Sequence, residues 1–482
     1  MAGFAAASMG LWGKGEDMTR KEFLGGAAAF AAASRVAHGW PCGSRTPTMR
    51  LGMISDTHLV VKDNGWGVQN SLCFEPALRY FDMRKADGVL VAGDLTDFGT
   101  ASCLRHFASI WYKVFPGSRR SDGKPIKLLH IFGDHDMGGY MHKFNWAPKE
   151  EVASGVIPEM DVAALWDECF HEEWAPIQVK ECCGYKFVLA HHPRHTAESD
   201  HGNSIPGLAE FMTRQSLNPN RPFFFVQHRM FKGTVAVPNC GWENGKTTEV
   251  LKNYPNALAV CGHGHVNAVD ELCLWQGEFT AMQVPSLNFC CTRPGRENGY
   301  TNIDKDAIMP RAYITKSWQG MFGTMYEDKF VVERRDFLNG MPLGPDWVIP
   351  LPSPDGSLRA EERAKRSVPP TFAKGARLSV SEGTVVNKAG VSTDAVIVSF
   401  PVAHATARTP RAFDYVVRAM AGRTKLKEKS VFPKGQFWAD EKDTQQVECA
   451  FAKSDLPEDW RMSVKFVADP RDSFGRRGGA IG

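Results

Sequence analysis

The chain has 482 residues, of which 43% are hydrophobic and 23% charged, with a formal net charge of +3. That length exceeds one ordinary core and asks for two domains, or for one with an appendage. The near-neutral charge supplies no polyanion-binding field, so nucleic acid is not expected as a partner, and no apolar run reaches the roughly 18 residues of a membrane-spanning helix.

From Met18 to Gly39 a basic pair precedes a short alanine-rich stretch and then small residues, the layout of a secretory signal. Arg20, Lys21, Phe23 and Leu24 resemble the twin-arginine export motif, with Lys21 in place of its second arginine. The resemblance implies an export signal over residues 1–40 and a periplasmic or extracellular protein. The competing reading is an ordinary amphipathic helix. Twelve cysteines are scattered without CxxC or zinc-ribbon spacing, so most read as small buried hydrophobes.

After Pro47 apolar runs alternate with helical patterns. MRLGMIS, GVLVAGD, IKLLHIFGD, GYKFVLA, RPFFFVQ, NALAVCG and GEFTAMQVP read as strands, and several are apolar at consecutive positions, as fully buried strands are. EPALRYFDMRKA and CLRHFASIWYKVF read as helices, and AYITKSWQGMFGTMYEDKFVVERRDF as a long hairpin closing a sheet. This alternation predicts a layered α/β domain over residues 48–340. Residues 341–370, rich in proline and charge, read as a linker. Residues 371–482 show short alternating strands between turn signals, which predicts a small all-β sandwich. It is similar to a fibronectin type III or immunoglobulin-like module, which implies an accessory contacting glycan or protein. No internal repeat is present.

Five of the strand-like runs end in metal-type side chains. ISDTHL carries Asp56 and His58, VAGDLTD carries Asp94 and Asp97, and FGDHD carries Asp134, His135 and Asp136; FVQHRMF carries His228, and VCGHGHVN carries His263 and His265. In open α/β sheets ligands bind beyond the carboxyl ends of strands, so these loops can converge on one crevice. Mixed imidazoles and carboxylates suit borderline-hard divalent metals. Taken singly, an Asp-x-His after a strand is an ordinary capped turn. Two histidines around a glycine have little packing rationale, and all five stretches at strand ends point to a site.

The order D-x-H, GD, GNH(D/E), H, GHxH, read from Met49 to Asp336, resembles the calcineurin-like metallophosphoesterases. The resemblance implies a four-layer αββα sandwich, here followed by the small all-β domain, and hydrolysis of a phosphate mono- or diester at two metal ions (Fe, Mn or Zn) by hydroxide held on them. It implies that Asp56, His58 and His265 hold one metal, with Asp94 bridging. Asp94, Asp134, His228 and His263 would hold the other. His135 would be the general acid, and Asp136 would orient it. Asp134 stands where the family has asparagine, which adds a negative charge. His191 or His192 competes with His228 for the fourth motif. The family places that histidine in the loop before the GHxH strand, and the buried run before His228 fits this. His192, Arg194 and His195 remain as candidates for the pocket wall.

The alternative function is a catalytically weak metal-binding relative serving as an extracytoplasmic scaffold. The His135–Asp136 pair favours the enzyme, because a scaffold needs no general acid. A serine or cysteine hydrolase would need a nucleophile elbow of the G-x-S-x-G kind, which is lacking. Substrate specificity is expected in the long loops Lys62–Ser71, Gly138–Gly155 and His192–Gly207.

Overall fold

The computed structural model describes residues 46–61, 67–137, 147–193, 205–236, 244–299, 307–310, 318–338, 340–387, 389–403, 412–433 and 446–482. The export-signal segment, Arg194 and His195 lie outside these described residues.

In chain order the first strands are β1 (Met49–Ile54), β2 (Gly88–Val91), β3 (Lys127–His130), β4 (Ile177–Cys182), β5 (Tyr185–Ala190), β6 (Phe223–Val226), β7 (Ala257–Cys261), β8 (Leu274–Gln276) and β9 (Thr280–Gln283). They are followed by β10 (Gln319–Met325), β11 (Lys329–Asp336), β12 (Met341–Pro342) and β13 (Trp347–Pro350). One sheet runs β12-β11-β10-β1-β2-β3, with β13 also on β11; the other runs β4-β5-β6-β7-β9-β8. β1, β2 and β3 are parallel, as are β5, β6, β7 and β9. Their carboxyl ends therefore share one edge of each sheet.

The period of two along each strand sorts its side chains between layers. Leu90 of β2 joins Phe224, Val226, Leu258 and Val260 of the second sheet in a core between the sheets. Val89 and Val91 point the other way, to Phe74 of the helix Gly67–Met83 and Phe107 of the helix Ala101–Val114. On the second sheet Phe223, Phe225, Ala257 and Ala259 pack with Leu208 and Met212 of Leu208–Arg214 and with Leu251 of Lys246–Leu251. The result is helix, sheet, sheet, helix. Both faces of both sheets are covered, which is why these strands read as continuous apolar runs.

Residues 341–370 are not an extended linker. β12 and β13 pair with β11 at the rim of the first sheet, where a proline's missing N–H interrupts no ladder. The helix Ala360–Arg366 then docks through Arg363, which donates from Nη1 to the Leu274 carbonyl at 2.9 Å and pairs with Glu271 at 2.8 Å. Glu271 also meets Arg334 at 2.7 Å and accepts from Trp347 Nε1 at 2.9 Å. The charge that suggested a solvated tether serves this buried hub.

Beyond it lie β14 (Ser379–Val386), β15 (Ser392–Pro401), β16 (Asp414–Ala421), β17 (Thr424–Val431), β18 (Gln446–Ala452) and β19 (Val464–Arg471). They form two antiparallel three-stranded sheets, β14-β15-β18 and β17-β16-β19, around Val396, Val398, Phe400, Tyr415, Val417, Phe451 and Phe466. None of the ten described cysteines is in a disulfide, and all but Cys183 and Cys291 are buried. Among the described residues no helix is long and apolar enough to cross a membrane.

Candidate metal centre

Asp56 and His58 follow β1, Asp94 follows β2, Asp134 follows β3, His228 follows β6, and His263 and His265 follow β7. Both sheets thus contribute side chains to one place. Five of these residues have left-handed backbones: Asp56 (φ 52°), His58 (45°), Asp94 (50°), His263 (64°) and His265 (50°). Such a conformation costs a non-glycine residue on the order of 1 kcal/mol and persists only where its surroundings over-determine it. Backbone bonds between the loops do so. Asp56 N donates to Gly93 O and His58 N to Asp94 O, each at 3.0 Å, and Gly262 N donates to His228 O at 2.9 Å. The glycines are equally constrained. A Cβ on Gly93 (φ 96°) would lie 2.4 Å from His228 Nδ1, and one on Gly133 would lie 2.1 Å from Asp94 Oδ1.

Two groups of side chains that share Asp94 result, Asp56–His58–Asp94–His265 and Asp94–Asp134–His228–His263, and a third, His58–Asp97–His135, adjoins them through His58; in each the ligand atoms lie within 4.8 Å of one another. In the first, His265 Nε2 is 3.1 Å from Asp56 Oδ1 and 3.2 Å from His58 Nε2, and His58 Nε2 is 3.7 Å from Asp94 Oδ2. In the second, Asp134 Oδ1 is 3.0 Å from both His228 Nε2 and His263 Nδ1, and His228 Nε2 is 3.1 Å from Asp94 Oδ2. Asp94 belongs to both groups, and a carboxylate has the lone pairs to bridge.

The donor set fits a pair of dications. Three carboxylates, two buried and one half-buried, converge with four imidazoles, and three of those imidazoles have their other nitrogen engaged in a way that fixes the tautomer. His228 Nδ1 donates to Ala92 O at 2.7 Å, His265 Nδ1 to Phe289 O at 3.0 Å, and His58 Nδ1 to Asp97 Oδ1 at 3.1 Å. Each leaves Nε2 as a lone pair aimed at the centre, the arrangement that orients metal-ligating histidines. Burial raises the Asp56 carboxyl, but the imidazoles of His265, His228 and His58 outweigh it and hold it well below the usual carboxylate range.

His135 lies beside this centre, with Nδ1 donating to the Asp97 carbonyl at 2.8 Å and lying 3.4 Å from its carboxylate. Burial lowers the His135 imidazole, but Asp94 and Asp97 outweigh it and hold it well above the ordinary histidine value. Asp136, expected to orient that ring, does not. Asp134–Met137 is a helical turn, and successive residues on a helix do not face each other. The Asp136 carboxylate instead accepts from the backbone N–H groups of Leu95, Thr96 and Gly133 at 3.1, 2.9 and 2.8 Å, and from Thr96 Oγ1 at 2.7 Å. It ties the β2 and β3 loops together, while burial and Asp94 push its carboxyl up to about 7. Asp97 takes the orienting position, touching both His58 and His135. Its signal was the second aspartate of GDLTD.

His192 is buried, and its N–H donates to Phe132 O at 3.0 Å; it belongs to neither ligand group. His191 accepts from Phe132 N at 3.0 Å and packs against Trp166 and Trp174 as a core residue. Arg229, given no role by the sequence, brings Nη2 to 3.5 Å from Asp134 Oδ2.

Parallel strands whose ends gather carboxylates and imidazoles, one carboxylate common to both groups, define a domain with a dinuclear-type cluster of candidate metal ligands. The family model for calcineurin-like phosphoesterases matches residues 49–267, the span that holds all seven side chains. No curated protein matches the sequence. Among solved structures the chain is similar to a dimetal phosphatase from Danio rerio, at 12% identity over 63% of this chain and 99% of that one, with a TM-score of 0.38. It is also similar to a purple acid phosphatase from yellow lupin (Lupinus luteus) seeds, at 13% identity over 63% and 55%, with a TM-score of 0.37.

Proposed function

We propose that the chain hydrolyses a phosphate mono- or diester at two ions of Fe, Mn or Zn. One would be held by Asp56, His58, His265 and Asp94, the other by Asp94, Asp134, His228 and His263. The observation that carries this reading is Asp94 shared between the two ligand groups with His135 beside them. Such a metal pair, when bound, draws electron density from phosphoryl oxygens and makes a water acidic enough to deprotonate near neutral pH. His135 Nε2, on the ring edge opposite the Asp97 bond, donates the proton that the leaving oxygen needs. Asp97 keeps that ring charged and in place, and Asp94 Oδ1 accepts from the His135 N–H at 2.9 Å, tying its backbone to the bridge. Export through the Arg20–Leu24 signal, and a fibronectin type III or immunoglobulin-like role for the C-terminal sheets in contacting glycan or protein, belong to the same proposal.

The test is turnover of p-nitrophenyl mono- and diesters, with elemental analysis, for wild type, His135→Ala and Asp97→Asn. About two metal ions per chain are expected in all three. Turnover should fall by about 10²–10⁴ in His135→Ala and by less in Asp97→Asn. Metal lost from His135→Ala would make His135 a ligand. A fully loaded wild type inactive on every ester would leave the scaffold alternative.

A further inference from the structure

The ligand His265 is held from one side by the segment after β9. Its Nδ1 bonds Phe289 O at 3.0 Å, its carbonyl accepts from Cys291 N at 2.6 Å, and Asn267 N donates to Cys291 O at 3.2 Å. These contacts form a parallel bridge between Val266 and Cys291. The Phe289 ring lies against the His265 ring, with centroids 4.2 Å apart. Without this segment, neither the tautomer nor the ring plane of His265 would be fixed.

The continuation of the same segment is bound to the C-terminal sheets. Arg293 Nη2 donates to Ser473 O at 2.8 Å, Arg296 Nε to Asp414 Oδ2 at 2.7 Å, and Glu297 N to Ser430 O at 2.7 Å. Lys429 Nζ pairs with Glu297 at 2.8 Å, and the Asn298 amide makes two 2.9 Å bonds with the backbone of Phe432. Phe289 packs on a small core of Cys290, Phe413 and Phe432, drawn from both parts of the molecule. Asp414 is the centre of the attachment. It is fully buried and is also gripped by Arg471, with two contacts of 2.7 Å. A buried carboxylate between two guanidiniums is tolerated only with its partners in place, so the segment has one seat on β16.

We propose that the C-terminal sheets complete the metal centre: Asp414, acting through Arg296 and the 289–291 backbone, is a positioning residue for His265. This rests on the reading of the site as a metal pair. Partners behind a ligating histidine set its orientation and basicity, and their loss commonly weakens metal binding by about 10–100-fold.

The experiment titrates the metal-free full chain with Co²⁺, read by its visible absorption, together with thermal unfolding of the metal-free forms. Wild type should show two binding steps, and His265→Ala should identify the one that depends on His265. Asp414→Asn should weaken that step by about tenfold and leave the other within about twofold. A general loss of stability would weaken both alike, and that result, or no change in either step, overturns the inference while leaving the metal centre standing. Should Asp414→Asn fail to fold, Glu297→Gln reads the same attachment, with a smaller weakening confined to the same step. A wild type that takes up no cobalt overturns the metal-centre reading and this inference with it.

Discussion

Asp134 places a third carboxylate at a centre where the family pattern has a neutral amide, and Arg229 stands 3.5 Å from it. The guanidinium returns the charge that the carboxylate removes, so the centre's net field is closer to that of the amide than the sequence alone suggested. The two changes should be felt as a pair. Asp134→Asn is expected to weaken metal affinity, because an anionic oxygen is lost, and to lower KM for an anionic ester, because Arg229 is left unbalanced. Adding Arg229→Gln should return KM toward the wild-type value. Steady-state kinetics beside a metal titration checks this, and a higher KM in the single variant would show that Asp134 does not act through charge. Adjacency in sequence favours Asp136 as the partner of His135, yet a helical turn separates neighbours around its axis, and it is the β2 loop that brings Asp97 to both His58 and His135.

At the scale of elements, strand and helix alternation from Met49 to Asp336 was legible because buried parallel strands carry continuous apolar runs between amphipathic helices. Residues 341–370 were not, since proline and charge are also the composition of tethers, and only the edge of the first sheet and the Glu271 hub show what they do. Arg363 is 8% exposed and paired with a carboxylate; its loss leaves part of a buried charge cluster uncompensated. Arg363→Ala is therefore expected to destabilise the fold by about 3 kcal/mol, measured by urea denaturation. A change below about 0.5 kcal/mol, the range of ordinary surface substitutions, would mean that this helix rests on the surface without bearing on the core.

Across the whole molecule, cations bound among the converging carboxylates and imidazoles would stabilise the folded chain, so the metal-free state is expected to be the less stable one. Binding to the folded chain alone stabilises it by about 2.7 kcal/mol per site at a hundredfold excess over Kd. Chelation should accordingly lower Tm, and restored metal should raise it again; calorimetry that finds Tm insensitive to both would contradict a metal site in the folded chain. The sequence by itself determined the layered class, the strand ends that carry the seven side chains, and their residue types, because periodicity and motif order are local properties of a chain. Which aspartate meets His135, what balances Asp134 and what stands behind His265 were decided by tertiary structure. Those contacts join residues on different strands and sheets, and their partners are set by how loops cross rather than by how far apart they lie in the chain.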